Sequence, residues 1–303
     1  MMHEIYDSLC AIAGKENVLC REPMSRHTTF RTGGEAQILV TPGAEVLPAV
    51  IACCKERGIP FLVIGNGSNL LVGDAGIDGV VIEIGKQMSE ICVEDTKVTA
   101  KAGALLSAIA SSAASHGLTG FEFASGIPGS IGGAVVMNAG AYGGEIKDIL
   151  ESVEVLTPEG TVETIPAEEL ELSYRHSNVQ ERGYLVLSAT LRLKQGKRDE
   201  IYACMADLKE KRVSKQPLEY PSAGSAFKRP EGYFAAKLID DAGLRGFQVG
   251  GAQVSEKHCG FVINKDHATA ADIRSLMEQV QNTVREKFGV ILEPEVKFVG
   301  KFQ

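Results

Sequence analysis

The sequence has no C-x-x-C pair, no G-x-x-x-x-G-K-[ST] segment and no apolar run approaching the length of a membrane span. Each absence removes a class. Its seven cysteines, Cys10, Cys20, Cys53, Cys54, Cys92, Cys204 and Cys259, are odd in number and include an adjacent pair. That pattern fits neither a disulfide framework nor a zinc site, so cytosolic thiols and no metal are expected. Cys259 beside His258 invites a thiol nucleophile, but Cys259 also opens the apolar strand Cys259–Asn264. A buried structural thiol is the simpler reading. The missing Walker segment excludes a P-loop, and the missing span argues against membrane insertion. Positive charge is scarce. Lys and Arg total 31 against 39 Asp and Glu, giving a net charge of −8 and a pI near 5.4. Nonspecific nucleic-acid or membrane-surface binding is therefore not expected. MMHEIYDSLCAIAG carries no basic n-region, so a cytoplasmic protein rather than a secreted one is expected. An acidic chain with an anionic ligand needs a locally basic site.

Glycine, by contrast, is concentrated. Ala124 to Glu145 reads ASGIPGSIGGAVVMNAGAYGGE and holds Gly126, Gly129, Gly132, Gly133, Gly140, Gly143 and Gly144. A run this dense loses much backbone entropy on folding and needs a reason. Gly126-x-x-Gly129-x-x-Gly132-Gly133 reads as a tight turn presenting consecutive N–H groups, suited to a phosphate or pyrophosphate. A buried crossover that requires small residues explains the same density, and composition alone does not choose between them.

A second stretch favours the ligand. The apolar strand Phe61–Gly65 runs directly into Asn66-Gly67-Ser68-Asn69. Two glycine loops beside apolar runs are able to clasp one long anion, such as a dinucleotide, from two sides. A Rossmann fingerprint is not the means. Leu70 stands where its third glycine belongs, and the segment to Gly79 leaves no room for the helix.

The pair Gly65–Val72 (GNGSNLLV) and Gly126–Glu145 resembles the UDP-N-acetylenolpyruvoylglucosamine reductase family. The resemblance continues in order through Tyr174-Arg-His-Ser177, Pro221–Lys228 and Leu292–Val296, and so covers nearly the whole chain. It implies an α+β protein: a two-lobed FAD-binding domain of the vanillyl-alcohol-oxidase type, followed by a small α+β substrate domain. The short connection after Arg175 resembles the shorter family type, without the tyrosine-loop insertion. The resemblance also implies an NADPH-dependent, FAD-mediated reduction completing UDP-N-acetylmuramate for peptidoglycan synthesis, with NADPH and the enolpyruvyl substrate using one site in turn. In covalent relatives a histidine often follows the double glycine. Here Glu35 follows Gly33-Gly34, so a noncovalent flavin is expected. A monomer is expected as well.

The chain order is consistent with that organisation. Helical spacing covers Met2–Gly14. Strand Ala36–Thr41, helix Glu45–Arg57 and strand Phe61–Gly65 form a β-α-β unit, and Gly79–Gly85 adds a strand. Ile91–Val93 and Lys97–Lys101 read as a hairpin, Leu105–His116 as a helix, and Val153–Thr157 with Val162–Pro166 as a second hairpin. Strand Val186–Lys194 closes this region. Asp199–Ser214 is a charged helix. Helices Tyr233–Ala242 and Ala270–Phe288, with strands Cys259–Asn264 and Val296–Val299, make the last region. The expected domains are 1–88 and 89–198, the two flavin lobes, and 199–303, the substrate domain, whose tail returns toward the lobes.

Reduction of a vinyl ether bearing a carboxylate needs a cation or acid for the developing enolate and a proton donor for the inner carbon. The resemblance assigns Arg175 as the cation, Glu295 as the acid and Ser225 as the proton donor. On residue type alone, Arg175 also reads as a surface arginine, Glu293 competes with Glu295, and a glycine-flanked serine is usually a turn residue. The serine hydroxyl is a weak acid and needs Lys228 or a water to polarise it. Flavin contacts are expected from Gly65, Asn66, Gly67, Ser68, Asn69, Ser125, Gly126, Pro128, Gly129, Ser130, Gly132 and Gly133. Substrate contacts are expected from Tyr142, Lys215, Lys228, Arg229 and His258, the last a residue more often structural. The rival functions are a flavin oxidase of the same fold and a non-catalytic nucleotide-sugar sensor.

Overall fold

The structure is a computed structural model describing residues 2–302. The chain divides into two compact units. The first comprises Met1–Leu19, Val40–Asn66 and Val81–Arg212; the second comprises Cys20–Leu39, Gly67–Val80 and Val213–Gln303. Among the described residues no helix is long and apolar enough to cross a membrane.

The first unit is built on an antiparallel sheet of five strands in the order Val162–Pro166, Leu150–Leu156, Leu185–Arg192, Lys97–Lys101 and Ile91–Glu94. Alternation sets its buried face. Val153, Val155, Ala189, Leu191, Val98 and Ala100 are all buried. The alanine-rich helix Leu106–Ser115 lays Leu106, Ile109, Ala110, Ala113 and Ala114 on that core. A second helix, Ile131–Val136, packs on the central strand Leu185–Arg192. It arises inside the glycine-rich stretch, where the sequence predicts only a turn. Helix Met2–Ala13 packs against Leu47–Glu56, a helix opened by Pro48 in its first turn. The Ile84 N–H meets the Ile64 carbonyl at 2.8 Å, setting strand Phe61–Ile64 beside the end of Ile77–Glu83.

In the second unit four antiparallel strands run in the order Ser222–Ser225, Phe261–Asn264, Ala252–Val254, Gln248–Val249. Helix Ala270–Phe288 covers this sheet and buries Ile273, Leu276, Met277, Val280 and Val284 along one stripe. Thr269 and Asp272 close its N-terminus as a capping box. Asp74 caps it as well, accepting the Ala270 and Ala271 N–H groups at 2.8 Å each. Helix Ala235–Asp241 packs alongside. The strand Leu70–Val72 pairs in parallel with Lys297–Val299, Leu70 opposite Lys297 and Val72 opposite Val299. The charged segment predicted at Asp199–Ser214 is a helix over Arg198–Lys215 that buries only Ile201, and its residues as far as Arg212 belong to the first unit.

Candidate active site

In the first unit the two glycine loops meet. The Asn66 side-chain amide donates to the Pro128 carbonyl at 3.3 Å. A Cβ on Gly65 would stand 2.5 Å from the Ser130 hydroxyl oxygen, so glycine there is what allows the loops to touch. The tight turn expected at Ser125–Gly133 is present, but its amides are not a free run. Ser125, Ile127 and Gly129 donate to Glu122, Ala124 and Ile127, while Ile131 and Gly132 donate to the Ala104 and Ala102 carbonyls. Gly132 also lies so close to Ala102 that a Cβ would come within 2.9 Å of the Ala102 Cβ. Part of the glycine density is therefore internal packing, which corrects the expectation of consecutive presented N–H groups. The loop leaves a rim exposed at Gly126, Pro128 and Gly133, with the Arg212 side chain lying against it at Gly126. At Gly133 an added Cβ would meet only the Ser130 hydroxyl, at 3.9 Å. That open rim fits close approach of a ligand.

The same unit carries Tyr142 and Arg175 on two tight turns. Tyr142 sits exposed between the paired residues Gly140–Ala141 and Gly144–Glu145, with φ +54°. Ser173 and His176 bridge at 3.1 and 3.2 Å, and Arg175 occupies the turn between them, also at φ +54°. Its guanidinium lies 5.0 Å from the Tyr174 ring centroid and donates to the Gly140 carbonyl at 3.3 Å. Asn138, which sequence reasoning passed over, is fully buried and bonds to both turns. Its one visible signal is an amide residue embedded in a glycine- and alanine-rich stretch. Arg212, also of this unit, donates from its helix to the Gly126 carbonyl.

The second unit brings Ser225 and Glu295 onto neighbouring segments. The Glu295 N–H meets the Ala226 carbonyl at 2.9 Å, Phe227 bridges Pro294, and Lys228 N–H meets the Glu293 carbonyl at 2.9 Å. Ser225 is exposed at a register break, following Gly224 at φ +77°. Lys228 pairs with Glu293 at 3.3 Å, which engages the competing carboxylate and leaves Glu295 the half-buried one. The Asn69 side chain donates to the Glu295 carbonyl at 3.0 Å. Arg229 stacks over Phe234 at 4.1 Å, and Lys215 is exposed at its helix end. His258 turns back on its own loop. Its Nδ1 accepts the Gly260 N–H at 3.1 Å and its ring meets Phe261 edge-on at 5.1 Å. Burial, with a smaller push from Arg245, holds its pKa below the usual 6.5. Gly67 is buried at φ +59°, where a Cβ would overlap the His27 carbonyl oxygen. Glu35 pairs with Arg21 at 2.9 Å on the surface.

Two family models match the chain. The family model described as an FAD binding domain matches residues 36–166. The model described as the UDP-N-acetylenolpyruvoylglucosamine reductase C-terminal domain matches residues 216–299. The chain is 59% identical over 293 residues to the UDP-N-acetylenolpyruvoylglucosamine reductase of Agathobacter rectalis, covering 93% of each. It is 51% identical over 299 residues to that of Clostridioides difficile, covering 98% of each. The crystal structure of the Thermus caldophilus reductase superimposes with a TM-score of 0.79 at 37% identity, over 93% of this chain and 97% of that one. The α+β architecture, an FAD-binding domain followed by a small α+β domain, is thus shared, and the chain belongs to the UDP-N-acetylenolpyruvoylglucosamine reductase family.

Proposed function

We propose that this protein reduces UDP-N-acetylenolpyruvoylglucosamine to UDP-N-acetylmuramate, with bound FAD as cofactor and NADPH as hydride donor. The observation that carries the reading is the near end-to-end likeness to reductases of that name, 59% identical in one case. The proposed setting is the cytoplasm, as a monomer. The product feeds peptidoglycan synthesis and hence cell-wall biogenesis, cell shape and division. The proposed domains are 1–88 and 89–198 for FAD and 199–303 for substrate; the pairing of Leu70–Val72 with Lys297–Val299 supports a returning tail.

Bound FAD would supply hydride-transfer chemistry between NADPH and the vinyl carbon of the enolpyruvyl group. Gly65, Asn66, Gly67, Ser68, Asn69, Ser125, Gly126, Pro128, Gly129, Ser130, Gly132 and Gly133 are the residues proposed to hold it. The exposed rim at Pro128 and Gly133, where a Cβ on Gly133 would meet nothing closer than 3.9 Å, is the observation that fits such a group. No histidine follows Gly33-Gly34, in keeping with noncovalent binding. The remaining steps belong to the chain's own groups. Arg175 supplies positive charge toward the substrate carboxylate as electron density moves onto it, and Glu295 stabilises the resulting enolate. Ser225 delivers the proton to the inner carbon from one side, which fixes the configuration of the product. Lys215, Lys228 and Arg229 give the second unit the local positive charge that the overall balance of −8 hides. Tyr142 and His258 complete the proposed substrate contacts.

The absorbance spectrum of the purified protein tests this reading. A flavin band is expected, bleached by NADPH under anaerobic conditions and restored by the enolpyruvyl substrate, with FAD released on acid precipitation. A colourless protein that also fails to bind added FAD overturns the reading. Flavin retained in the acid pellet overturns only noncovalent attachment. A band that NADPH bleaches and only oxygen restores points to an oxidase instead.

A further inference from the structure

Of the non-glycine residues with left-handed backbone in the first unit, three are tied to one another: Asn138 at φ +40°, Tyr142 at +54° and Arg175 at +54°. Such conformations are strained and persist only where the surroundings over-determine them. Tyr142 and Arg175 carry proposed roles toward substrate. Asn138 carries none. It is fully buried, so its amide must be satisfied internally. Its Nδ2 donates to the Glu145 carboxylate at 2.6 Å and to the Ser173 carbonyl at 2.9 Å, and its Oδ1 accepts the Lys147 N–H at 2.9 Å. Ser173 opens the turn that holds Arg175; Glu145 closes the turn that holds Tyr142. The two turns also touch directly, through Arg175 and the Gly140 carbonyl at 3.3 Å.

We propose that Asn138 is a positioning residue that fixes Arg175, and with it the Tyr142 turn, in the orientation required for substrate reduction. The proposal rests on the role given to Arg175 above. Asparagine suits the place for two reasons. It tolerates left-handed backbone better than most side chains, and it offers two donors and an acceptor on one short planar group. Aspartate would keep the backbone but lose both donors, facing the Glu145 carboxylate and the Ser173 carbonyl with a second negative group. Glycine would keep the backbone and remove the tie.

A double-mutant cycle of Asn138→Gly with Arg175→Ala tests it, read by anaerobic stopped-flow on flavin-matched protein. Asn138→Gly is expected to leave reduction by NADPH near wild type and to slow substrate-driven reoxidation by up to ~10²-fold, the scale of a misplaced group. In the Arg175→Ala background the same change is expected to cost less than about twofold, because the residue it positions is gone. A merely structural role gives the same factor in both backgrounds and overturns the proposal. So does an Asn138→Gly enzyme with wild-type reoxidation. If Arg175→Ala itself reoxidises at the wild-type rate, the catalytic assignment of Arg175 fails and this proposal falls with it, which separates that failure from an additive cycle. Glu145→Ala guards against a variant that does not fold. It removes one partner of the buried amide from a partly exposed site, and a smaller loss in the same half-reaction, absent when Arg175 is alanine, is expected. Equal loss with and without Arg175 contradicts the proposal. Thermal melts and product binding by calorimetry accompany each variant.

Discussion

Asn69 grips Glu295 by the backbone, its side-chain amide 3.0 Å from the Glu295 carbonyl oxygen. Two residues further on, the Lys297 N–H returns to the Asn69 carbonyl at 2.9 Å and opens the parallel pairing of Lys297–Val299 with Leu70–Val72. On its other side the Glu295 N–H is held by Ala226. The proposed acid is thereby fixed by main-chain bonds before its side chain does anything. Asn69→Asp replaces the donor with an acceptor facing a carbonyl, a change that costs ~1–3 kcal/mol for a buried group. The expected outcome is a lower melting temperature and a substrate-driven reoxidation slowed more than reduction by NADPH. Both rates are compared at equal flavin content, since Asn69 also lies in the proposed flavin loop. Equal slowing of the two half-reactions would show that the clamp does not serve Glu295.

Gly67 and Gly133 make opposite predictions although both belong to the proposed flavin loops. Gly67→Ala places a Cβ against the His27 carbonyl oxygen at a left-handed φ of +59°, so loss of stability is expected whether or not flavin is present. Gly133→Ala meets nothing closer than 3.9 Å and sits in the helix Ile131–Val136. There alanine is expected to hold or raise the melting temperature of the apoprotein, helix propensity alone contributing roughly 0.5–1 kcal/mol. A weakened FAD affinity in that stable protein would mark Gly133 as a point of close ligand approach. Unchanged affinity, measured by fluorescence titration of the apoprotein, would remove Gly133 from the flavin contacts.

The contrast shows what the sequence made legible. Helix Ala270–Phe288 was readable to the residue because its apolar stripe, Thr269 cap and terminal Gly289 all agree. Motifs also singled out Ser225 and Glu295, whose segments are hydrogen-bonded neighbours. The glycine density at Ala124–Glu145 was visible, but its cause was mixed. Gly132 is there for Ala102 and Gly144 for Phe123, while Gly133 faces open space. Only the packing partners, distant in sequence, separate those cases. Asn138 was illegible for a similar reason: an isolated amide says nothing until its three partners, at residues 145, 147 and 173, are in place.

His258 yields a prediction about acid stability. Its folded pKa lies below 6.5, chiefly because the ring is buried and secondarily because Arg245 is near. The unfolded chain therefore binds a proton that the folded one refuses as pH falls below 6.5. Stability contributed by the neutral ring is present above that value, is lost on acidification toward the lower folded pKa, and is level beneath it. His258→Gln, which keeps an acceptor for the Gly260 N–H, is expected to flatten the fall in melting temperature between about pH 7 and 5. A slope identical to wild type would show that other groups govern acid sensitivity in this range.

Ser225→Ala is expected to separate the two half-reactions. The residue is exposed at a break in strand register and follows a glycine at φ +77°, around which an added Cβ meets nothing within 4 Å. Loss of its hydroxyl therefore leaves the surrounding packing intact, and the melting temperature is expected to stay near wild type. Reduction by NADPH needs no proton from this serine, so bleaching of the flavin band is expected to continue at the wild-type rate. Reoxidation by the enolpyruvyl substrate requires a proton at the inner carbon, and losing a positioned donor costs ~10²–10⁴-fold. Glu295→Gln is expected to slow the same half-reaction, since it removes the carboxylic-acid proton proposed to stabilise the enolate while keeping the shape and the Ala226 bond. Lys228→Met tests the source of the hydroxyl's acidity. Lys228 is engaged with Glu293 at 3.3 Å, so if the lysine polarises Ser225 the variant will slow reoxidation and shift its pH profile. If a water does so, it will weaken substrate binding alone. Stopped-flow spectra of each half-reaction decide among these outcomes. A Ser225→Ala enzyme that slows both half-reactions equally, or neither, removes Ser225 as the specific proton donor.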